Sequence, residues 1–228
     1  MDNVLLSLEI SKKRTTLLQH GLKKWLFALT ALLLTASCSK DEAIQPAYQF
    51  ALTEVVTDHL GKAHTLVLDD GTELALSEPI TGMKADSLYR LQALFVQSEQ
   101  GAQLHSYAQV LAPEAKVYDA MYLPKDAVSV VTCWQGKHYV NLRLAIKGTA
   151  SGKHIFGFND EGTHHHTNGT QTRCITLLHN QNQDPLYYTR EVYISLPLRP
   201  LIQSVPTDSL RLQINTFQGI KSFVFPLK

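Results

Sequence analysis

The sequence predicts an all-β protein: an OB-type small barrel followed by an antiparallel β-sandwich. Three observations predict it. Apolar residues alternate with polar ones at period two over several segments of the second half. Short β-rich runs in the first half are separated by Gly-containing turns. No strand–helix–strand alternation is visible, which argues against dinucleotide-binding and TIM-barrel architectures.

The first segment, residues 1–37, reads as a leader. Lys23-Lys24 precede an apolar run from Trp25 to Thr35, shorter than the ~20 residues a membrane-spanning helix needs. A basic flank, a short apolar stretch and then small residues are the marks of a signal peptide. The run ends Leu34-Thr35-Ala36-Ser37-Cys38, a relaxed lipobox in which Cys38 takes the lipid and Leu stands one place earlier than usual. Each buried methylene contributes ~0.8 kcal/mol, so several acyl chains hold a protein firmly. An ordinary secretory signal with an incidental cysteine is the competing reading. Residues 38–46 form a polar tether. Within it Lys40, Asp41 and Glu42 resemble the surface-export signal of some Gram-negative lipoproteins; otherwise they are a solvated, charged spacer. The expected location is the outer membrane, lipid-anchored, with the body exposed at the cell surface. Losing residues 1–37 removes five basic and two acidic side chains and takes the formal charge from +1 to −2. No basic helix or basic run remains, so nothing asks for nucleic acid.

Residues 47–117 are expected to form the barrel. Tyr48 to Thr57 is β-rich around Val55-Val56. Leu66-Val67-Leu68 runs through Asp69-Asp70-Gly71 into Leu74-Ala75-Leu76, a hairpin signal because Gly accepts the positive φ of a tight turn. Leu88 to Val96 turns at Glu99-Gln100-Gly101 into Leu104 to Val110. Five short strands suit an OB-type barrel, with an immunoglobulin-like half as the alternative. Tyr48, Phe50, Tyr89 and Phe95 have few basic neighbours, so they read as core rather than as a single-strand-binding platform.

Residues 118–228 are expected to form the sandwich, after a joint at Pro113 to Tyr118. Val128 to Trp134 turns at Gln135-Gly136. Leu142, Leu144 and Ile146 then alternate with Asn141, Arg143 and Ala145. Val192, Ile194 and Leu196 alternate with Glu191, Tyr193 and Ser195, and Leu210, Leu212 and Ile214 with Arg211, Gln213 and Asn215. Such one-sided strands bury one face and wet the other, and a second sheet must cover the apolar side.

Several short stretches of this half are recognisable together: Trp134 to Leu142, Lys153 to Gly157, Leu177 to Asn180, Tyr187-Tyr188, Ser195 to Leu198 and Ile214 to Gly219. In order and spacing the half resembles the C-terminal β-sandwich of the NigD-like lipoproteins. Residues 47–117 resemble the N-terminal OB-type domain of the same family, best at Leu68-Asp69-Asp70-Gly71. The resemblance implies an accessory or immunity role, since the family is named from a gene near a bacteriocin determinant. It implies no catalytic residues and no cofactor.

The residues themselves offer little chemistry. Thr163-His164-His165-His166-Thr167 lies in a polar segment. In a strand His164 and His166 share a face and are candidate metal ligands, with His154 or His179 needed to complete a site; a solvated, His-rich hairpin tip is the bland alternative. His138, His154 and His179 read as packed histidines bonded to nearby backbone. Cys133 and Cys174 are the even pair left for a disulfide in an oxidising compartment, or else two free core thiols. Asp160 and Glu161 read as a solvated loop pair. No nucleophile elbow, P-loop or His-Glu-x-x-His occurs. A non-enzymatic lipoprotein that binds a protein or glycan at the surface is the expectation. A glycan- or metal-binding accessory lipoprotein of the envelope is the alternative.

Overall fold

The structure is a computed structural model and describes residues 47–119, 123–204 and 207–227. Cys38, Lys40, Asp41 and Glu42 lie outside the described residues. Residues Ala47–Lys228 form one compact unit.

Five strands open this unit: β1 (Tyr48–Val56), β2 (Ala63–Leu68), β3 (Glu73–Ile80), β4 (Leu88–Ser98) and β5 (Gly101–Gln109). They close into a barrel in the order β1-β2-β3-β5-β4, with β4 returning to β1. Only β3 and β5 run parallel, meeting at Leu76 and Ala102. This is the expected OB-type barrel. The Asp-Gly turn forms where its chemistry predicts. Gly71 takes φ +90°, its N–H donates to Leu68 O at 2.9 Å, and Asp70 Oδ1 accepts from the Thr72 amide at 2.8 Å. Val55, Leu66, Leu91 and Phe95 fill the interior. Tyr48 and Phe50, expected in the core, are half exposed instead. Tyr48 packs edge-on to His105, and Phe50 reaches out of the barrel to Tyr193.

The sandwich follows as β6 (Ala115–Lys116), β7 (Ser129–Gln135), β8 (Tyr139–Gly148), β9 (Ile155–His165), β10 (Gln171–Asn180), β11 (Tyr188–Pro197), the short helix α1 (Arg199–Ser204), β12 (Ser209–Thr216) and β13 (Gly219–Pro226). One sheet has the order β13-β12-β10-β9-β6 and the other β11-β8-β7. Pairing is antiparallel except for β10–β12 and β6–β9. The three alternating strands point their apolar sets inward as predicted. Leu142, Leu144, Ile146, Ile194 and Leu196 meet Phe158, Ile175, Leu210, Leu212 and Ile214 in one core, where each such side chain contributes about 1.5–3 kcal/mol.

The opposite face is where expectation and structure part. Arg143 and Glu191 are exposed and paired, as a wet face requires. Asn141 and Ser195 share that face yet are completely buried. The barrel covers them. Leu111 bridges to Ile194 on the outer edge of β11 and its carbonyl accepts from the Ser195 amide at 2.9 Å.

Candidate functional site

The covered face of β8 and β11 builds a buried polar cluster. Arg90 rises from β4 with its side chain shut off from solvent. Its Nη2 donates to Asp69 Oδ1 and, at 2.9 Å, to Asn141 Oδ1; its Nε donates to Ser195 Oγ at 3.3 Å. Asn141 Nδ2 donates to Asp69 Oδ2 at 2.8 Å, and Ser195 Oγ–H donates to Asn141 Oδ1 at 2.7 Å. The Arg90 guanidinium also lies 4.2 Å from the centre of the Tyr139 ring. Tyr139 Oη–H continues the chain to Glu54 Oε2 at 2.8 Å, and Arg199 Nη2 donates to Glu54 Oε1 at 3.1 Å. Burial, then the bond to Glu54, pushes the Tyr139 phenol well above its ordinary range. Burial, reinforced by Arg199, holds His138 below the usual imidazole value.

Two stretches singled out in the sequence meet here. The Leu68–Gly71 turn docks on the Gln135–His138 turn, where Lys137 N donates to Asp69 O at 2.6 Å. A Cβ at Gly136 would stand 3.0 Å from the Asp69 side chain. Charges are matched, Arg90 against Asp69 and Arg199 against Glu54. The cluster therefore fastens the barrel to the sandwich, because each buried group would be costly without its partner. Arg90 and Glu54 carried no motif. Their signal was that each is the one charged residue of its strand.

A second buried constellation involves His154 and His179. His154 Nδ1 lies 2.8 Å from His179 Nε2, and His154 Nε2 lies 3.1 Å from Asp184 Oδ2. His179 Nδ1 faces the carbonyl of Asp126 at 3.0 Å. A backbone carbonyl only accepts, so His179 donates from Nδ1 to Asp126 O, and the His154 and His179 rings share one proton between His154 Nδ1 and His179 Nε2. Asp184 also accepts from the Thr149 amide at 2.8 Å and hydroxyl at 2.6 Å. These bonds, the hydroxyl's first, hold its carboxyl below the ordinary value. Burial depresses His179. The expectation of backbone-bonded histidines holds for His179 Nδ1 alone. Asp184 is thirty residues from His154 in the chain, so no local spacing announced it. The approach is close enough to require Gly152, where a Cβ would come within 1.7 Å of Asp184 Oδ2.

The other predicted residues are placed as follows. The His164 and His166 rings are neighbours, 4.7 Å apart, and His166 Nε2 bonds Thr172 Oγ1 at 2.8 Å. His154 and His179 do not join them. His154 precedes β9 and His164 is its next-to-last residue, so they are roughly 30 Å apart at 3.3 Å per residue. Among the described residues no three His, Cys, Asp or Glu side chains gather as a metal site. Cys133 and Cys174 are both free, the second of the two alternatives read from the sequence, and no bridge joins them. They belong to different sheets. Cys133 packs on the core, while Cys174 is out of phase with the core residues Ile175 and Leu177. Burial pushes the Cys133 thiol up to about 12. Asp160 is buried and ion-paired with Arg173 rather than solvated, and Glu161 accepts from the Thr176 hydroxyl at 2.6 Å.

One end of the sandwich exposes large apolar side chains. Register places Tyr188 opposite Gly148, Ile155 opposite Asn180, and the β12–β13 turn at the same end. Lys147 Nζ lies 6.0 Å from the Phe217 ring. Ile155, Leu186, Tyr187, Phe217 and Ile220 are all exposed there, Tyr187 at 79% and Ile220 at 71%.

Comparison with known proteins places this geometry. The family described as NigD-like C-terminal beta sandwich domain matches residues 111–227. Among solved structures, a NigD-like immunity protein from Bacteroides caccae is 23% identical, with a TM-score of 0.61, over 80% of this chain and 99% of that one. A protein from Parabacteroides distasonis described as toxin related is 18% identical, with a TM-score of 0.63, over 78% and 92%. A protein of unknown function from Bacteroides vulgatus is 17% identical, with a TM-score of 0.60, over 79% and 92%. At these identities the likeness is one of fold. No curated protein matches the chain.

Proposed function

The chain belongs to the NigD-like family, and from that premise we propose that it is a non-enzymatic envelope lipoprotein that binds a protein partner at the outer surface, in an immunity-type role. The family is not a known enzyme family. In this reading residues 1–37 are removed, Cys38 carries the lipid, Lys40, Asp41 and Glu42 direct export to the surface, and residues 38–46 tether the body.

The observation that carries the binding role is the apolar end of the sandwich. Tyr187 projects into solvent from the connection before β11, Phe217 from the β12–β13 turn and Ile220 from the start of β13. Exposed aromatic side chains on a fixed scaffold anchor protein interfaces, because they bury much area at small entropic cost. The names of two structural neighbours, one an immunity protein and one toxin related, agree in direction.

The test is a deletion strain challenged with a panel of bacteriocins, complemented with wild type or with Tyr187→Ser/Phe217→Ser. Deletion is expected to sensitise the cell to one toxin, and the double variant is expected not to restore protection. Unchanged killing across the panel would sink the role. Mass spectrometry of the isolated protein is expected to find acyl chains on Cys38 and no leader.

A further inference from the structure

A cavity of about 550 Å³ lies where the barrel meets the flank of the sandwich. Ile146, Val192 and Ile194 give it apolar walls, and Gln92 and Gln109 bring amides from the barrel. Two full cations line it, Lys153 and Arg190, and no Asp or Glu does.

Arg190 is the unusual group. Arg90, Arg143, Arg173 and Arg199 each face a carboxylate. Among the described residues Arg190 makes one hydrogen bond, from Nη2 to Gly152 O at 2.8 Å. Its Nε is buried with no hydrogen-bond partner among the described residues. Asp184 lies against Gly152, but both its oxygens are already engaged by Thr149 and His154. A half-buried guanidinium with no counter-charge carries a desolvation cost that an incoming anion relieves. Held by a single bond, it can turn its remaining N–H groups toward a ligand.

We propose that this cavity binds an organic carboxylate on an apolar body, with Arg190 as the counter-charge, Lys153 as support and the aliphatic side chains of β8 and β11 under the body. One guanidinium, one ammonium and two neutral amides suit a monoanion, which a guanidinium grips through two parallel bonds. The volume is that of a small-ligand site. Two sources share this chemistry: a free small acid, and the C-terminus of a polypeptide ending in an apolar residue.

The test uses soluble residues 47–228, which hold both hydrophobic cores in one compact unit. Backbone amide shifts are followed by NMR on titration with phenylacetate, octanoate, and the peptide Gly-Leu-Phe as free acid or C-terminal amide. The carboxylates are expected to move the amides of Gly152, Lys153, Arg190 and Ile194. The peptide amide is expected to bind roughly tenfold more weakly than its acid, and Arg190→Gln to lower affinity by a similar factor. Arg190→Lys, which keeps the charge in case the first variant misfolds, is expected to fall between. Tighter binding of the peptide acid identifies a chain terminus as the source, and tighter binding of the small acids a free metabolite. Absence of any shift at millimolar carboxylate, equal binding of acid and amide, or unaltered affinity in either folded Arg190 variant would overturn the proposal. The site is separate from the exposed sandwich end, so the toxin challenge can fail while carboxylate binding stands, or the reverse.

Discussion

At the scale of single residues, the protein is held by a few polar side chains in places where apolar ones are the rule. Arg90 is the clearest. Replacing it by Met removes the cation facing the Asp69 carboxylate and one of the two donors to the Asn141 amide oxygen, at a covered surface. Removal of one partner of a buried pair is expected to cost about 3 kcal/mol, read as a lower urea midpoint. Exposed Arg143 is the contrast. Its pair with Glu191 is solvated, and Arg143→Met is expected to change stability by less than about 1 kcal/mol. The thiols give a chemical prediction. With Cys133 pushed up to about 12 by burial, it stays unreactive toward iodoacetamide at pH 8 in the native protein. Both Cys133 and Cys174 are expected to titrate as free thiols once residues 47–228 are unfolded without reductant.

At the scale of elements, the histidine relay ties the start of β9 to the end of β10 and to the turn before β11. Its acid response has a definite sign. Burial holds His179 below its ordinary value of 6.5, so the unfolded chain takes up the proton first as pH falls. Stability is complete above about pH 6.5 and declines below it. His138 shifts the same way, also chiefly through burial. The Asp184 carboxyl is held below 3.8, and its contribution is present above that pH and lost beneath it. A melting temperature that falls between pH 7 and pH 5, and falls less in His179→Gln, is the expected result. An unchanged slope in that variant would remove His179 as the cause. Gly152→Ala tests the same element sterically. A methyl so close to Asp184 must displace it, at an expected cost of about 1–3 kcal/mol.

At the scale of the whole molecule, two β layers of different architecture behave as one body because their junction is polar, matched and sealed. The barrel alone has a small core, and the sandwich supplies bonds to its outward polar groups: Asn141 and Ser195 to Arg90, which also pairs with the barrel's own Asp69, and Tyr139 and Arg199 to Glu54. Residues 47–228 are therefore expected to melt in a single transition by calorimetry. Asn141→Leu, which breaks the cluster from the sandwich side, is expected to separate the barrel's transition from the sandwich's. Two transitions already in the wild type would show that the junction does not couple them.

Local chemistry in the sequence determined the all-β class, the Asp69-Asp70-Gly71 turn and the inward faces of β8, β11 and β12. Each follows from period-two patterning or from a residue able to take positive φ, and both act over a few neighbours in the chain. The apolar end of the sandwich was legible only as separate hydrophobic residues near turns, because strand register had to bring them together. The tertiary structure alone decided the burial of Asn141 and Ser195, the union of Arg90 with Asp69, and the meeting of His154, His179 and Asp184. It also set Cys133 and Cys174 on different sheets and left Arg190 without a carboxylate among the described residues. The physical reason is common to all of them. Whether a polar group is wet, paired or stranded depends on what packs over it, and those partners come from segments tens of residues away whose approach no local pattern encodes.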